Sequence, residues 1–171
     1  NEFDHAGPRP SRLAVYGATF LGGSFHAVSQ NGHSAWAMIV AGTVAAFAPA
    51  ADRIIFERNT LTSPSEIYSV KADGTDEQAV TKINAAKVAA VRMGQPEQYS
   101  FKGANNDTVY GYVVKPADFD PARKYPVAFL IHGGPQGSFG NDFHYRWNPQ
   151  AYAGAGYAVV MVDFHGSTGY G

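Results

Sequence analysis

The pattern of apolar positions along this chain changes near residue 95. Before it, short apolar runs alternate with turn-forming residues, and no segment shows the 3.6-residue spacing of an amphipathic helix. Short strands with regular turns are typical of a sandwich, a barrel or the blades of a propeller, and the pattern does not separate these three. The runs interpreted as strands are 13–20, 36–40, 44–47, 53–57 and 66–70.

From residue 96 onward the pattern predicts a mixed arrangement of strands and one helix. Residues 98–102 and 109–114 are predicted as two antiparallel strands. The continuous apolar runs 125–131 and 157–163 are typical of parallel strands covered on both faces. Between them, Asn148-Pro149 predicts the N-cap and first turn of a short helix. A strand, a crossover helix and a parallel strand make one βαβ unit, which is expected to be right-handed.

The segment between these two regions permits two interpretations. Residues 84–93 are rich in alanine, lysine and valine, and they fit either a short helix or an extended linker. The sequence Gly94-Gln95-Pro96 breaks this segment, because glycine and proline interrupt regular structure. We therefore place the boundary between an all-β part and a mixed part after residue 95.

Composition narrows the class of protein. The 171 residues are 45% hydrophobic and 16% charged, which is typical of a globular protein. A net charge of −1 gives no electrostatic reason to expect nucleic acid or an anionic membrane as a partner. The uncharged run 35–51 contains Gly42 and Pro49, so we interpret it as two strands and not as a membrane helix.

The residue types present also bound the chemistry. The chain has no cysteine, which excludes disulfides and thiolate chemistry but does not identify a compartment, so periplasm and cytoplasm both fit a soluble protein. The histidines of the strand-rich half, His5, His26 and His33, show no spacing typical of metal ligands. We expect neither a metal nor a cofactor.

The motif His132-Gly133-Gly134-Pro135 follows the strand predicted over 125–131. In α/β-hydrolases, a buried strand followed by His-Gly-Gly places backbone N–H groups beside the reacting carbonyl. Such donors stabilise the oxyanion of acyl transfer, and removal of one typically costs about 3 kcal/mol. The alternative is a tight turn without a ligand. No Gly-x-Ser-x-Gly nucleophile turn occurs in the chain, so the pattern predicts the oxyanion half of an acyl-transfer enzyme.

Several further segments accompany this motif and together identify a family. They are Leu61-Thr62-Ser63-Pro64 with Glu66-Ile67-Tyr68, the run 125–136, Tyr145-Arg146-Trp147-Asn148 and Gly166-Ser167-Thr168-Gly169-Tyr170-Gly171. With these segments the chain resembles the prolyl oligopeptidase family of serine peptidases, in the branch of the acylaminoacyl peptidases and dipeptidyl peptidases V. One departure is His165, where many relatives have arginine.

The resemblance implies a fold and a division into domains. Residues 1–95 would be the C-terminal blades of a β-propeller, and residues 96–171 would be the N-terminal part of an α/β-hydrolase domain. The nucleophilic serine, the aspartate and the histidine of the triad would all lie after Gly171. The chain would then be a piece of a longer enzyme, and we expect it to be inactive by itself.

The resemblance also implies a reaction. The full protein would be a serine exopeptidase that releases dipeptides or acylated residues from short peptides through an acyl-enzyme. Gly134 would supply an oxyanion N–H, and Gly133 would belong to the same loop. A carboxylesterase on the same scaffold and a non-catalytic binding protein remain as alternatives. The expected partners are a short peptide substrate and the remainder of the polypeptide, and a homo-oligomer is left open.

The loop after the oxyanion motif contains the candidate substrate-binding residues. They either wall a substrate pocket or bury the loop against the propeller, and for Arg146 a structural ion pair is favoured. His132 is expected to order the loop, because the general base of the family comes from later in the chain. Asp163 would cap the loop that follows it or pair with Arg146. The candidates for substrate binding are Phe139, Tyr145, Arg146 and Trp147.

Overall fold

The computed structural model describes residues 42–134 and 136–168, together with the backbone of three strands before them. These three strands, β1 (Leu13–Gly17), β2 (Ser24–Ser29) and β3 (Ala35–Ile39), form an antiparallel sheet in the order β1-β2-β3. The strand predictions over 13–20 and 36–40 are confirmed for the described backbone. Pro135, residues 169–171 and the side chains of the histidines before residue 42 lie outside the described residues.

A second antiparallel sheet follows. It consists of β4 (Thr43–Ala50), β5 (Arg53–Thr60), β6 (Ser63–Lys71) and the short β7 (Gln78–Ala79), in sequence order. A four-stranded antiparallel meander is the form of one propeller blade. The predicted strands over 44–47, 53–57 and 66–70 are confirmed, and each extends further than its apolar run. Phe56 and Val70 form its small buried core.

The segment 84–93 forms a helix of five residues, α1 (Ala85–Ala89). The helix interpretation is therefore correct, but only for half of the segment. None of its residues is buried. Helices this short gain little from their own hydrogen bonds. Its start is fixed by β6, because the buried Glu66 carboxylate accepts a hydrogen bond from the Asn84 backbone N–H at 2.6 Å.

The third sheet carries the predicted strand, helix and strand. Its strands are β8 (Pro96–Lys102), β9 (Thr108–Val114), β10 (Val127–Leu130) and β11 (Ala158–Asp163), in the order β10-β11-β9-β8. Strands β10 and β11 are parallel, and the other two pairings are antiparallel. The helix α2 (Pro149–Gly154) lies between β10 and β11 in sequence. As predicted, the Asn148 side chain caps it, accepting a hydrogen bond from the Gln150 N–H at 2.9 Å.

The two predicted parallel strands differ in how they are covered. In β11, Val159 and Met161 are at most 1% exposed. In β10, at the edge of the sheet, Val127 and Phe129 are 61% and 56% exposed, and Ile131 just beyond it is 67% exposed. Within the part of the chain that the structure describes, the prediction of two covered faces is therefore wrong for β10. An edge strand has a neighbour on one side only, and nothing described packs on this face.

The second and third sheets share a core through one turn. Leu61, in the turn between β5 and β6, is 2% exposed and packs with Val114, Val159 and Met161 of the third sheet. The Gln150 side chain of α2 donates a hydrogen bond to the Leu61 carbonyl at 3.3 Å. The loop between β10 and α2 lies against the same turn, because the Asn141 side chain accepts a hydrogen bond from the Leu61 N–H at 2.8 Å.

Candidate functional site

The two glycines after β10 have different conformational requirements. Gly134 has a φ of +132°, and a Cβ at this position would lie 2.6 Å from the Gln136 nitrogen. Only glycine adopts this backbone conformation without strain. A Cβ built on Gly133 meets nothing within 4 Å. The loop conformation therefore depends on the second glycine, which is the predicted oxyanion donor, and much less on the first.

The His132 ring connects this loop to the loop that follows β11. Its Nε2 lies 2.8 Å from the Ser167 Oγ, and its Nδ1 lies 3.0 Å from the Gly133 carbonyl oxygen. The ring stacks on Phe164 at a centroid distance of 4.4 Å, and its edge contact with Phe139 is at 5.3 Å. In the tautomer whose Nδ1–H donates to the Gly133 carbonyl, Nε2 accepts a hydrogen bond from the Ser167 hydroxyl group. The side chain is 9% exposed, so these contacts surround it.

His132, Ser167 and Asp163 contain the residue types of a catalytic triad but do not have its geometry. In a triad, the acid and the nucleophile contact different nitrogens of the histidine ring. Here the Asp163 Oδ1 lies 3.9 Å from Nε2, the nitrogen that Ser167 also contacts. Ser167 and Asp163 are 3% and 4% exposed, which leaves no room for a substrate carbonyl. The geometry favours the loop-ordering role predicted for His132.

Two further hydrogen bonds hold the same pair of loops together. The Asp163 Oδ1 accepts from the Phe139 backbone N–H at 2.9 Å, and the Thr168 N–H donates to the Gly137 carbonyl at 2.8 Å. Asp163 therefore caps the loop after β10, whereas the sequence predicted a cap on the loop that follows Asp163 or an ion pair with Arg146. The Gly-Ser-Thr segment, which carries part of the family resemblance, contributes Ser167 and Thr168 to the contacts that hold the loop after β10. The spacing of the residues does not predict these contacts.

We predict that His132→Gln in the full-length protein lowers kcat by about 10-fold. Removal of a general base would lower kcat by up to about 10⁴-fold. Glutamine retains a polar group but loses both ring contacts, so the loop becomes less ordered. The measurement is kcat/KM as a function of pH. The apparent pKa values of the profile should stay unchanged. Disappearance of the basic limb would instead assign proton transfer to His132.

A cleft of about 470 Å³ lies beside the oxyanion loop, between the end of β10, α2 and the Leu61 turn. Phe139 and Trp147, two of the predicted substrate-binding residues, line it. The other two lie outside this lining. Tyr145 is 79% exposed, and the Arg146 guanidinium lies 5.2 Å from the Trp147 ring centroid, at cation–π distance. A role of Tyr145 and Arg146 in binding substrate stays a prediction.

Sequence reasoning missed one residue of this cleft, Asp142. Its carboxyl group is half-buried in the lining. Burial raises the pKa of this carboxyl above its ordinary value, and a hydrogen bond from Asn59 together with the nearby His144 partly offsets the effect. A signal was present in the sequence, because Asp142 is the only acidic residue between His132 and Trp147.

The structure supplies two further observations on ligands and membranes. Among the described residues, no three histidine, cysteine, aspartate or glutamate side chains lie close enough to hold a metal ion. No helix in the described part of the chain has the length and apolar character needed to cross a membrane.

Comparison with known proteins identifies similar sequences. The chain is 34% identical over 123 residues to dipeptidyl-peptidase 5 of Schizosaccharomyces pombe, a match that covers 72% of this chain and 17% of the relative. It is 52% identical over 71 residues to a probable dipeptidyl-peptidase 5 of Aspergillus clavatus, covering 42% of this chain and 10% of the relative. The chain thus spans less than a fifth of the length of these relatives. No family model matches it.

Comparison with solved structures identifies peptidases with a similar fold. The acylaminoacyl peptidase of Pyrococcus horikoshii superimposes with a TM-score of 0.71 at 27% identity, over 86% of this chain and 22% of that protein. An acylaminoacyl peptidase in complex with Z-Gly-Gly-Phe-chloromethyl ketone gives a TM-score of 0.73 at 26% identity, with the same coverage. Porphyromonas gingivalis dipeptidyl peptidase 4 matches at 21% identity and a TM-score of 0.62, which concerns the fold alone.

Proposed function

The chain belongs to the prolyl oligopeptidase family, and from this premise we propose that it is part of a serine exopeptidase that hydrolyses short peptides through an acyl-enzyme. Its own contribution would be the oxyanion loop. The observation that carries this proposal is the glycine-dependent conformation of Gly134 at the end of β10. The hydrogen bond between His132 and Ser167 holds that loop in place.

In the proposed reaction, a serine hydroxyl from another part of the same polypeptide attacks the carbonyl carbon of the peptide bond. The serine proton passes to a histidine of the triad, and the carbonyl electron pair moves onto oxygen. The Gly134 N–H donates a hydrogen bond to this oxyanion. Collapse of the intermediate breaks the C–N bond and releases the amine with the proton from histidine. Water then hydrolyses the acyl-enzyme by the same route.

The proposal also assigns a role to each of the two parts of the chain. Residues 1–95 would form blades of a propeller that restricts entry to short peptides, and residues 96–171 would begin the hydrolase domain. Two antiparallel meanders followed by a mixed sheet support this division. The cleft of about 470 Å³ is within the range of pockets that hold small ligands. The triad residues would come from the remainder of the polypeptide.

A fluorophosphonate probe on the full-length protein tests this proposal. We expect a single covalent label on serine, and a higher kcat/KM for dipeptidyl or acylaminoacyl amides than for a simple ester. Preincubation with excess peptide substrate should slow the labelling, which serves as the control for active-site reaction. Preference for the ester would favour the carboxylesterase. Absence of label would favour the non-catalytic binding protein.

A further inference from the structure

Asp142 is an unusual component of the cleft. The lining combines apolar and aromatic side chains, Leu61, Phe139, Trp147 and Met161 among them, with the uncharged or weakly basic side chains of His132, Ser138 and His144. Among the described residues that line it, none is lysine or arginine. Transfer of a carboxylate into such surroundings is unfavourable unless a cation or several hydrogen bonds compensate it. The cleft thus contains a negative charge without a strong cationic partner of its own.

The position of Asp142 is set by the neighbouring sheet. Asn59, at the end of β5, is 7% exposed, and its Oδ1 accepts a hydrogen bond from the Phe143 N–H at 2.6 Å. This bond attaches the backbone next to Asp142 to the end of β5, and the Asn59 side chain lowers the pKa of the Asp142 carboxyl against the larger effect of burial. The carboxyl group therefore stands on a loop that is anchored at the adjacent residue.

His144 provides only partial compensation for this charge. Its Nδ1 accepts hydrogen bonds from the backbone N–H groups of Arg146 and Trp147, at 3.0 and 2.9 Å. Burial raises the pKa of the Asp142 carboxyl, and the nearby His144 offsets this effect only in part. No lysine or arginine is among the described residues that line the cleft, so the Asp142 carboxyl is accessible to a cationic group of a ligand.

From this arrangement we propose that Asp142 is a specificity-determining residue that binds an alkylammonium group of the ligand in the cleft. The proposal deepens the proposed peptidase function and rests on it for the identity of the ligand as a peptide. The ammonium group belongs either to the free amino terminus or to a basic side chain. The walls of Phe139 and Trp147 would contact the apolar part of the same ligand.

Three small probes distinguish these two sources by isothermal titration calorimetry of the full-length protein. Phenylalaninamide carries an α-ammonium group, N-acetyl-lysinamide carries a side-chain ammonium group, and N-acetylphenylalaninamide carries neither. We expect one of the two cationic probes to bind more tightly than the neutral probe. Asp142→Asn should weaken that probe about 10- to 100-fold, the range for a hydrogen bond to a charged group, and leave the neutral probe unchanged.

Asp52→Asn is the matched control, because it removes the same charge at an exposed position in the turn between β4 and β5. It should leave all three affinities unchanged. The proposal would be overturned if the unmodified protein bound all three probes equally or bound none of them. It would also be overturned if Asp142→Asn lowered the affinity for all three probes equally. Because calorimetry needs no turnover, a protein that binds the cationic probe but hydrolyses nothing would contradict the proposed function alone.

Discussion

If the proposed peptidase function holds, replacement of Gly134 by alanine should lower kcat of the full-length protein by 100-fold or more, with a much smaller change in KM. At a φ of +132° a Cβ would lie 2.6 Å from the Gln136 nitrogen, so the loop must rotate away from its present conformation. That rotation redirects the N–H proposed to stabilise the oxyanion. Loss of one such donor costs about 3 kcal/mol in the transition state and little in the ground state. Steady-state kinetics on a peptide amide measure both parameters.

The adjacent glycine provides the control for this variant. A Cβ on Gly133 has open space, so Gly133→Ala should retain kcat within about threefold and keep the melting temperature of the parent. Gly134→Ala should lower the melting temperature by a few degrees, because of the strain at positive φ, but should still fold. Near-normal turnover of a folded Gly134→Ala variant would contradict the oxyanion role. Gly134→Pro, which deletes the N–H, is less informative than Gly134→Ala. The proline ring fixes φ near −65°, so it rebuilds the loop and deletes the donor at once.

Leu61→Ala should lower the free energy of unfolding by about 3 kcal/mol, within the range for large buried aliphatic side chains. Leu61 is 2% exposed and packs against Val114, Val159 and Met161. Truncation leaves a cavity at the place where the propeller-type sheet meets the mixed sheet. Urea denaturation of the full-length protein, followed by tryptophan fluorescence and by far-ultraviolet circular dichroism, measures the change.

The control is an aliphatic side chain on the surface. Ile83 is 78% exposed, and Ile83→Ala should change the free energy of unfolding by less than about 0.5 kcal/mol. Similar effects of the two variants would show that Leu61 is not part of a shared core. Leu61→Ala should also reduce kcat/KM modestly, because the Leu61 side chain lines the cleft.

Features that depend on a few consecutive residues were predictable from the sequence. The start of α2 at Asn148-Pro149 follows from one side chain that caps a nearby N–H and one ring that fixes φ. Most strands of the second and third sheets follow from apolar runs between turn residues. The boundary of α1 was less predictable, because an isolated five-residue helix has little stability of its own and is fixed by Glu66 of β6.

The candidate site was predictable only in part, because some of its contacts join residues that are far apart in the chain. The His-Gly-Gly motif predicts the proposed oxyanion loop because glycine is needed locally, where φ is positive. The role of His132 depends on Ser167, which is 35 residues away, and the backbone beside Asp142 is anchored by Asn59 in another sheet. Neither pairing leaves a trace in the spacing of the residues. Each exists only once the strands have taken their order and register.

Most strands, the start of α2 and the need for glycine at position 134 could be predicted from the sequence, because each is a matter of local backbone geometry. Strands β2 and β7 have no counterpart among the predicted runs. Packing between distant segments set the order β10-β11-β9-β8, inserted Leu61 into the core of the third sheet, and placed Asp142 in the lining of the cleft. These features arise from contacts between residues far apart in the chain, whose free energy depends on how the sheets pack.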